Sequence, residues 1–268
     1  MNINKCKLKA ILIALVLITA CKKEKVNKEE TVTIVPPTEV IIPPAEIITD
    51  NKSLPIQVKN GELKMTFSYT DTVLTKIEYA DGKSLVLTFD DILQTFTLET
   101  YIDKELTGYT DYEVGKDGLV TRATQNLVNS AKIIYLGYAT MEYNTKKQLT
   151  VIRNYNTHDK LLNERRRTYD DYGKLITETT SNPVQTLSYV YDAKYGLFKH
   201  VGLLYLFSLE TNDPLFLSAI NNLQGITGAV LPADNATYEF TYNKQDYPEK
   251  IKLMENGKSV ATNEILYQ

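Results

Sequence analysis

Leu63-Lys64-Met65-Thr66-Phe67-Ser68-Tyr69 alternates apolar and polar residues, and a period of two leaves little choice of structure. Successive side chains of a strand point to opposite faces, so such a run buries one face and wets the other. Similar runs continue from about residue 54 to the end, with Asn60-Gly61, Asp81-Gly82, Asp117-Gly118 and Asn256-Gly257 between them. A two-residue type I′ turn needs positive φ at both centres, which Asn-Gly and Asp-Gly tolerate best. Thr75–Ala80 and Lys83–Phe89 are therefore expected to pair around Asp81-Gly82, and Ile251–Glu255 with Lys258–Tyr267 around Asn256-Gly257.

A repeat underlies the turns. An aromatic, a polar turn residue and a hydrophobe six positions on recur at Tyr143-Asn144…Leu149, Tyr155-Asn156…Leu161, Tyr169-Asp170…Leu175 and Tyr191-Asp192…Leu197. A looser copy is Tyr242-Asn243…Tyr247-Pro248…Ile251. The starts lie 12, 14, 22 and 51 residues apart, so each unit is a strand-turn-strand step of irregular length. Sequential antiparallel strands joined by short turns make a meander. The expected class is all-β, a curved antiparallel sheet or barrel of successive hairpins.

One segment breaks the rhythm. Asp213-Pro214 followed by Leu215–Gln224 and Gly225 combines an N-cap residue, proline at the first helical position and glycine past the end. A short helix or irregular cap is expected near 213–224, covering one end or face of the sheet. Val201–Leu209 is apolar almost throughout and fits a buried strand or a short helix equally well.

Tyr169-Asp170-Asp171-Tyr172-Gly173-Lys174-Leu175 resembles the YD repeat of bacterial Rhs-type shells. Those shells are far longer closed cages, so encapsulation does not carry over. The longer run Tyr189-Val190-Tyr191-Asp192…Phe198, Asn221-Asn222 and Tyr238–Asn243…Tyr247-Pro248…Ile251 resembles a group of uncharacterised Bacteroidota lipoproteins with YD-like β-meanders. The resemblance covers about residues 60–268. It implies a porin-like or barrel-like antiparallel sheet and a lipid anchor, and it supplies no catalytic residue.

The first twenty residues are an address. Lys5, Lys7 and Lys9 precede an apolar run from Ala10 to Ile18, then Thr19, Ala20 and Cys21, the layout of a secretory signal. The run is shorter than the roughly 20 residues a membrane span needs. Leu17-Ile18-Thr19-Ala20-Cys21 resembles a bacterial lipobox, which implies cleavage after Ala20 and acylation of Cys21. Two or three acyl chains anchor stably where one is marginal, at about 0.8 kcal/mol per buried CH₂. Cleavage removes three lysines and no acid, taking the net charge from −3 to −6. It also removes Cys6, so with Cys21 lipidated no disulfide is available.

Residues 22–31 are charged, and Pro36-Pro37 and Pro43-Pro44 follow. Proline pairs favour extended chain, which over residues 22–53 would span on the order of 100 Å at about 3.1 Å per residue. The stretch reads as a spacer; its apolar Val40–Ile42 and Ile47–Ile48 also allow docking on the domain. The expected organisation is a lipoprotein signal peptide at 1–20, a lipidated cysteine and Pro-rich tether at 21–53, and a single antiparallel β domain at 54–268. Lys22 is not the aspartate that retains some lipoproteins at the inner membrane. An outer-membrane lipoprotein of the cell envelope is therefore expected, facing the periplasm or the surface.

Thirty basic and 33 acidic residues give no basic excess, so no nucleic-acid partner is expected. Two His and two Cys offer no spaced ligand set for a metal, and no cofactor is expected. No G-x-S-x-G, H-E-x-x-H, P-loop or EF-hand pattern is present, so no catalytic residue is assigned. Asp90-Asp91 and Asp170-Asp171 sit where Asp bonds its own turn backbone.

Arg165, Arg166 and Arg167 form the densest basic run, expected to be a solvated edge that blocks strand addition, with a patch for an anionic ligand as the alternative. On a strand, alternate members face opposite sides, so at least one must snorkel or pair with a carboxylate such as Glu164 or Glu178. Asp71-Thr72-Val73 resembles the short Bacteroidota O-glycosylation acceptor, which would place a glycan on Thr72. The 19 tyrosines suit half-buried pleated surface; an exposed row would stack on sugars, although the chain has no tryptophan.

Two functions fit. One is a non-enzymatic binding or structural module, lipid-anchored in the envelope, with a glycan or an envelope protein as partner. The other is a hydrolase of envelope glycan or peptidoglycan, its carboxylates about 5–9 Å apart in a concave sheet.

Overall fold

The computed structural model describes residues 53–268, apart from 62, 131, 212, 229–236 and 256. The signal peptide, Ala20, Cys21 and the Pro-rich tether lie outside the described residues. So does Asn256, whose hairpin closes at Gly257 with φ +74°.

Sixteen strands follow one another among the described residues. The first eight are β1 (Pro55–Asn60), β2 (Leu63–Thr70), β3 (Val73–Tyr79), β4 (Lys83–Asp90), β5 (Thr95–Ile102), β6 (Glu105–Val114), β7 (Val120–Asn129) and β8 (Lys132–Tyr143). The rest are β9 (Leu149–Tyr155), β10 (Leu161–Tyr169), β11 (Leu175–Ser181), β12 (Val184–Tyr191), β13 (Leu223–Thr227), β14 (Thr237–Tyr242), β15 (Pro248–Glu255) and β16 (Lys258–Tyr267). Every strand pairs antiparallel with its sequence neighbours, and β1 pairs with β16, which closes the barrel. The expected all-β meander is therefore a closed barrel.

Alternation decides what each wall presents. Phe67, Ile77, Leu85, Leu98, Tyr112, Ala123, Ile152 and Ile251 point inward and are buried. Their neighbours point outward and form cross-strand ion pairs. Lys59 and Lys250 flank Glu264, Arg122 meets Glu113, and Arg153 bridges Glu142 and Glu164. Solvent-facing apolar side chains lie mainly near hairpin ends, with Ile92 and Leu93 at one end and Ile133 and Leu161 at the other. A lipid-spanning barrel has the reverse arrangement, apolar outside and polar within.

The repeat marks the turns at atomic detail. In four copies the Asn or Asp side chain (Asn144, Asn156, Asp170, Asn243) accepts from the backbone N–H groups two and four residues on. The residue three positions on takes a left-handed conformation: Lys147, Asp159, Gly173 and Asp246, with φ between 57° and 89°. This is one five-residue loop used four times, with local Asx chemistry as its cause.

The tyrosines fasten one rim. Tyr143 and Tyr169 end their strands and Tyr69 is the last residue but one of β2, each beside a register shift, which turns the ring inward. Their hydroxyls donate to the first carbonyl of the preceding strand: Pro55 at 2.6 Å, Val120 at 2.8 Å and Leu149 at 2.7 Å. Tyr267 does the same to Pro248 at 2.8 Å. Replacing Tyr143 with Phe should therefore cost about 1 kcal/mol, read as a shift in urea midpoint; an unchanged midpoint would show the fastener to be inert.

The fifth copy is interrupted. Asp192 accepts from Lys194 N–H as the repeat requires, but its partner four residues on is replaced by Asn222. Asp192 N–H donates to the Asn222 carbonyl at 3.1 Å, and Asn222 N–H returns to the Asp192 carboxylate at 3.0 Å. Residues 193–221 are thus a segment inserted into one turn, and Leu197 belongs to it rather than to a strand. The segment packs within the barrel as a plug. Leu197, Phe198, Leu206, Phe207 and Phe216 share one buried cluster with the inward wall residues. Phe198 meets Phe67 of β2 edge-on at 5.4 Å and stacks on Phe216 at 5.4 Å.

Within the plug, Leu204–Thr211 is helix α1, which resolves the strand-or-helix alternative for Val201–Leu209. In a closed barrel no wall strand has a free edge. Gly202 exchanges backbone hydrogen bonds with Thr72 and Leu74 of the wall, and the chain after it satisfies its backbone by coiling on itself, burying Leu204, Leu206 and Phe207. Asp213 caps the next turn, its carboxylate accepting from Leu215 N–H at 2.9 Å. That turn is a 3-10 helix of four residues, Pro214–Leu217, shorter than the expected 213–224. The chain then enters β13, where pairing with β12 overrides local helical preference.

Candidate functional site

Turns alternate between the two ends of an antiparallel barrel. The plug enters where β12 ends, which is also where β1 begins and β16 finishes; Gln268 N–H donates to the Leu54 carbonyl there. Sixteen strands in a porin leave an aqueous channel, and here the plug fills the lumen from that end. Toward the other end two adjoining cavities remain, of about 430 and 390 Å³. Asp213, Tyr238 and Leu253 line both, so we describe them as one chamber. Its size falls within the roughly 300–1,000 Å³ of ordinary small-molecule sites. Lys64, Asp81 and Glu255, exposed lining residues from strand ends, mark its solvent edge.

β10 is paired on both sides, with β9 and β11, so the arginine run is not the edge it was expected to be, and strand alternation divides it. Arg166 points outward and pairs with Glu164 at 2.7 Å, so it is not part of an internal patch. Arg165 and Arg167 point inward and line the larger cavity. Glu178, opposite Arg167 in the β10–β11 register, accepts from the Arg167 Nε at 2.5 Å, and both side chains are 9% exposed. Burial acts to lower the Arg167 pKa, but the charge and hydrogen bond of Glu178 outweigh it and hold the cation above its ordinary range.

Arg165 has no such partner among the described residues. Its Nε is shut off from water and meets no hydrogen-bond acceptor among the described residues. Burial pulls its pKa below the ordinary arginine value, against the charge of Glu178. A buried cation without a direct counter-ion is costly, and perturbed charges of this kind gather at functional sites.

Across the chamber, Tyr189 rises from β12 and Tyr238 from β14, with Leu187, Ile226 and Leu253 as apolar wall. Burial, aided by the charge of Asp213, pushes the Tyr238 phenol up to about 12, so it stays neutral. Burial likewise raises the Asp213 carboxyl, opposed by Leu215 N–H. The second cavity is more apolar, walled by Val58, Met65, Leu215 and Ile251.

Thr72, the two histidines and the turn aspartates fall elsewhere. Thr72 is partly buried in the β2–β3 turn, its carbonyl accepting from Gly202 N–H of the plug at 2.9 Å. His158 is exposed in its turn. His200 lies within the plug, its Nε2 2.7 Å from the Tyr247 hydroxyl. Asp90 and Asp170 serve their own turn backbones. Among the described residues no group of three or more His, Cys, Asp or Glu could hold a metal ion.

Glu178 was legible as a possible arginine partner, because the turn at Asp170–Lys174 brings β10 and β11 together. Tyr189, Asp213 and Tyr238 carried no sequence signal as lining residues. They meet only through the closure of the barrel and the fold of the plug.

No family model matches the sequence, and no curated protein does. A porin-like protein from Bacteroides uniformis superposes with a TM-score of 0.53 over 79% of this chain and 94% of its own, at 11% identity. A porin-like protein from Bacteroides vulgatus does so with a TM-score of 0.48 over 81% of this chain and 99% of its own, at 14% identity. A chain of the Photorhabdus luminescens Tc holotoxin pore matches over 75% of this chain and 12% of its own, with a TM-score of 0.28 and 15% identity. The first of these likenesses speaks to the fold: a large antiparallel barrel spanning nearly the whole described chain.

Proposed function

We propose that the protein is a lipid-anchored envelope module, a water-facing barrel whose chamber holds a small ligand. The lipobox-like Leu17–Cys21 and the porin-like neighbour from Bacteroides uniformis support placement at the outer membrane. One observation carries the reading that the barrel does not itself span the bilayer: its outward faces bear cross-strand Lys, Arg and Glu pairs. Charges facing lipid at the bilayer midplane cost about 2–4 kcal/mol each for Arg or Lys. Membrane attachment then falls to acylated Cys21.

The hydrolase alternative receives less support from the chamber. Glu178 is committed to Arg167, and Asp213 caps the plug; neither is free to serve as acid or nucleophile.

Replacing residues 1–21 with a secretory signal that is cleaved without a lipobox, so that neither Cys21 nor an uncleaved apolar segment remains, tests the reading. The variant should lose metabolic palmitate label and leave the membrane fraction without detergent. Retention of the variant in carbonate-washed membranes would mean that the barrel spans the bilayer, and would overturn the proposal. Protease shaving of intact cells then assigns the leaflet of the wild type, because loss of the protein marks the outer face.

A further inference from the structure

Resting on the reading of the lumen as a binding chamber, we infer that its ligand is a small amphiphilic carboxylate, held by the Arg165 guanidinium with its apolar body in the chamber. Three observations carry this. First, Arg165 lines the chamber as a cation whose Nε has no partner among the described residues. The nearest inward carboxylate on the facing strand, Glu178, is already engaged by Arg167. Second, a guanidinium presents a planar fork of donors that fits a carboxylate two bonds at a time. An ammonium ligand would meet the like charge of Arg165 at this wall, and a neutral ligand would leave the cation uncompensated; of the other lining carboxylates, Asp213 caps the plug and Glu255 is exposed at the solvent edge. Third, Tyr189, Leu187, Ile226, Leu253 and Tyr238 offer apolar and aromatic wall beside the polar Ser208, Asp213 and Glu255, and the second, more apolar cavity continues past Leu253.

The ion pair beside Arg165 has a part in this. By holding Arg167 and Glu178 together, it keeps the Glu178 carboxylate from closing on Arg165. The chamber wall then carries one unspent positive charge from this group of three.

The test uses full-length protein in a non-ionic detergent, titrated calorimetrically with 4-phenylbutanoate, its neutral amide and 4-phenylbutylamine. The carboxylate should bind at least tenfold more tightly than the other two. Arg165→Met should abolish that preference, and Arg165→Lys, which keeps the charge but loses the fork, should restore part of it. Thermal unfolding of both variants checks the fold, and Arg165→Met should unfold no lower than wild type, because the substitution removes a buried cation lacking a partner.

Gln185→Trp, which places bulk in the chamber from β12, separates the two claims. If all three probes bind wild type equally and lose affinity in Gln185→Trp, the chamber reading stands and the carboxylate assignment falls. If binding is indifferent to Gln185→Trp, or no probe binds, both fall. A preference for the carboxylate that survives in folded Arg165→Met also overturns the assignment.

Discussion

Phe198→Ala should lower the stability of the barrel by about 3–5 kcal/mol, the larger of two effects that the plug and chamber lead us to expect. Phe198 is wholly buried and is the ring through which the inserted segment grips the wall, touching Phe67 on one side and Phe216 on the other. Each aromatic contact contributes about 0.5–1.5 kcal/mol beyond area burial, and the closed wall around the plug limits how far it can relax. Urea unfolding followed by tyrosine fluorescence reads the loss. A cost below about 1 kcal/mol, small against the range for such truncations, would mean that the plug is a loose occupant of the lumen rather than part of its core.

Breaking the buried ion pair should come close to that effect. Glu178→Ala leaves the Arg167 guanidinium, 9% exposed, with its counter-ion gone, at an expected cost of about 3–5 kcal/mol. The cost lies in the orphaned charge rather than in the worth of the pair. Arg167→Met together with Glu178→Leu should therefore recover most of the loss, because apolar replacements of similar volume leave nothing unpaired. A double variant as unstable as Glu178→Ala alone would show that the carboxylate has a role unconnected with Arg167. The cycle also bears on the chamber, because its wall keeps an unspent cation only while Arg167 holds Glu178.

The repeat shows how far local chemistry reaches. Asn144, Asn156, Asp170 and Asn243 build the same five-residue loop because each side chain bonds its own backbone two and four residues on. Nothing distant is needed, so the turns were readable. Asp192 has the same local signature and a different outcome, since its closing partner is Asn222, 30 residues away. A motif that specifies a turn does not specify where the chain returns to close it.

The same limit separates the members of the arginine run. Their alternation followed from strand geometry alone, which predicted that the three could not all face one way. Which of them faced the lumen depended on closure of the β1–β16 seam, because only then does one face become an inside. The commitment of Glu178 to Arg167 rather than Arg165 is a matter of register, set by the turn between β10 and β11.

Period-two patterning, Asx turn chemistry and the lipobox-like N-terminus were determined by the sequence alone, since each arises between residues a few positions apart. Closure, the plug and the chamber were decided by tertiary structure. They depend on which distant segments exclude water together, and Leu204–Thr211 is a helix within a barrel whose wall strands are already paired on both sides.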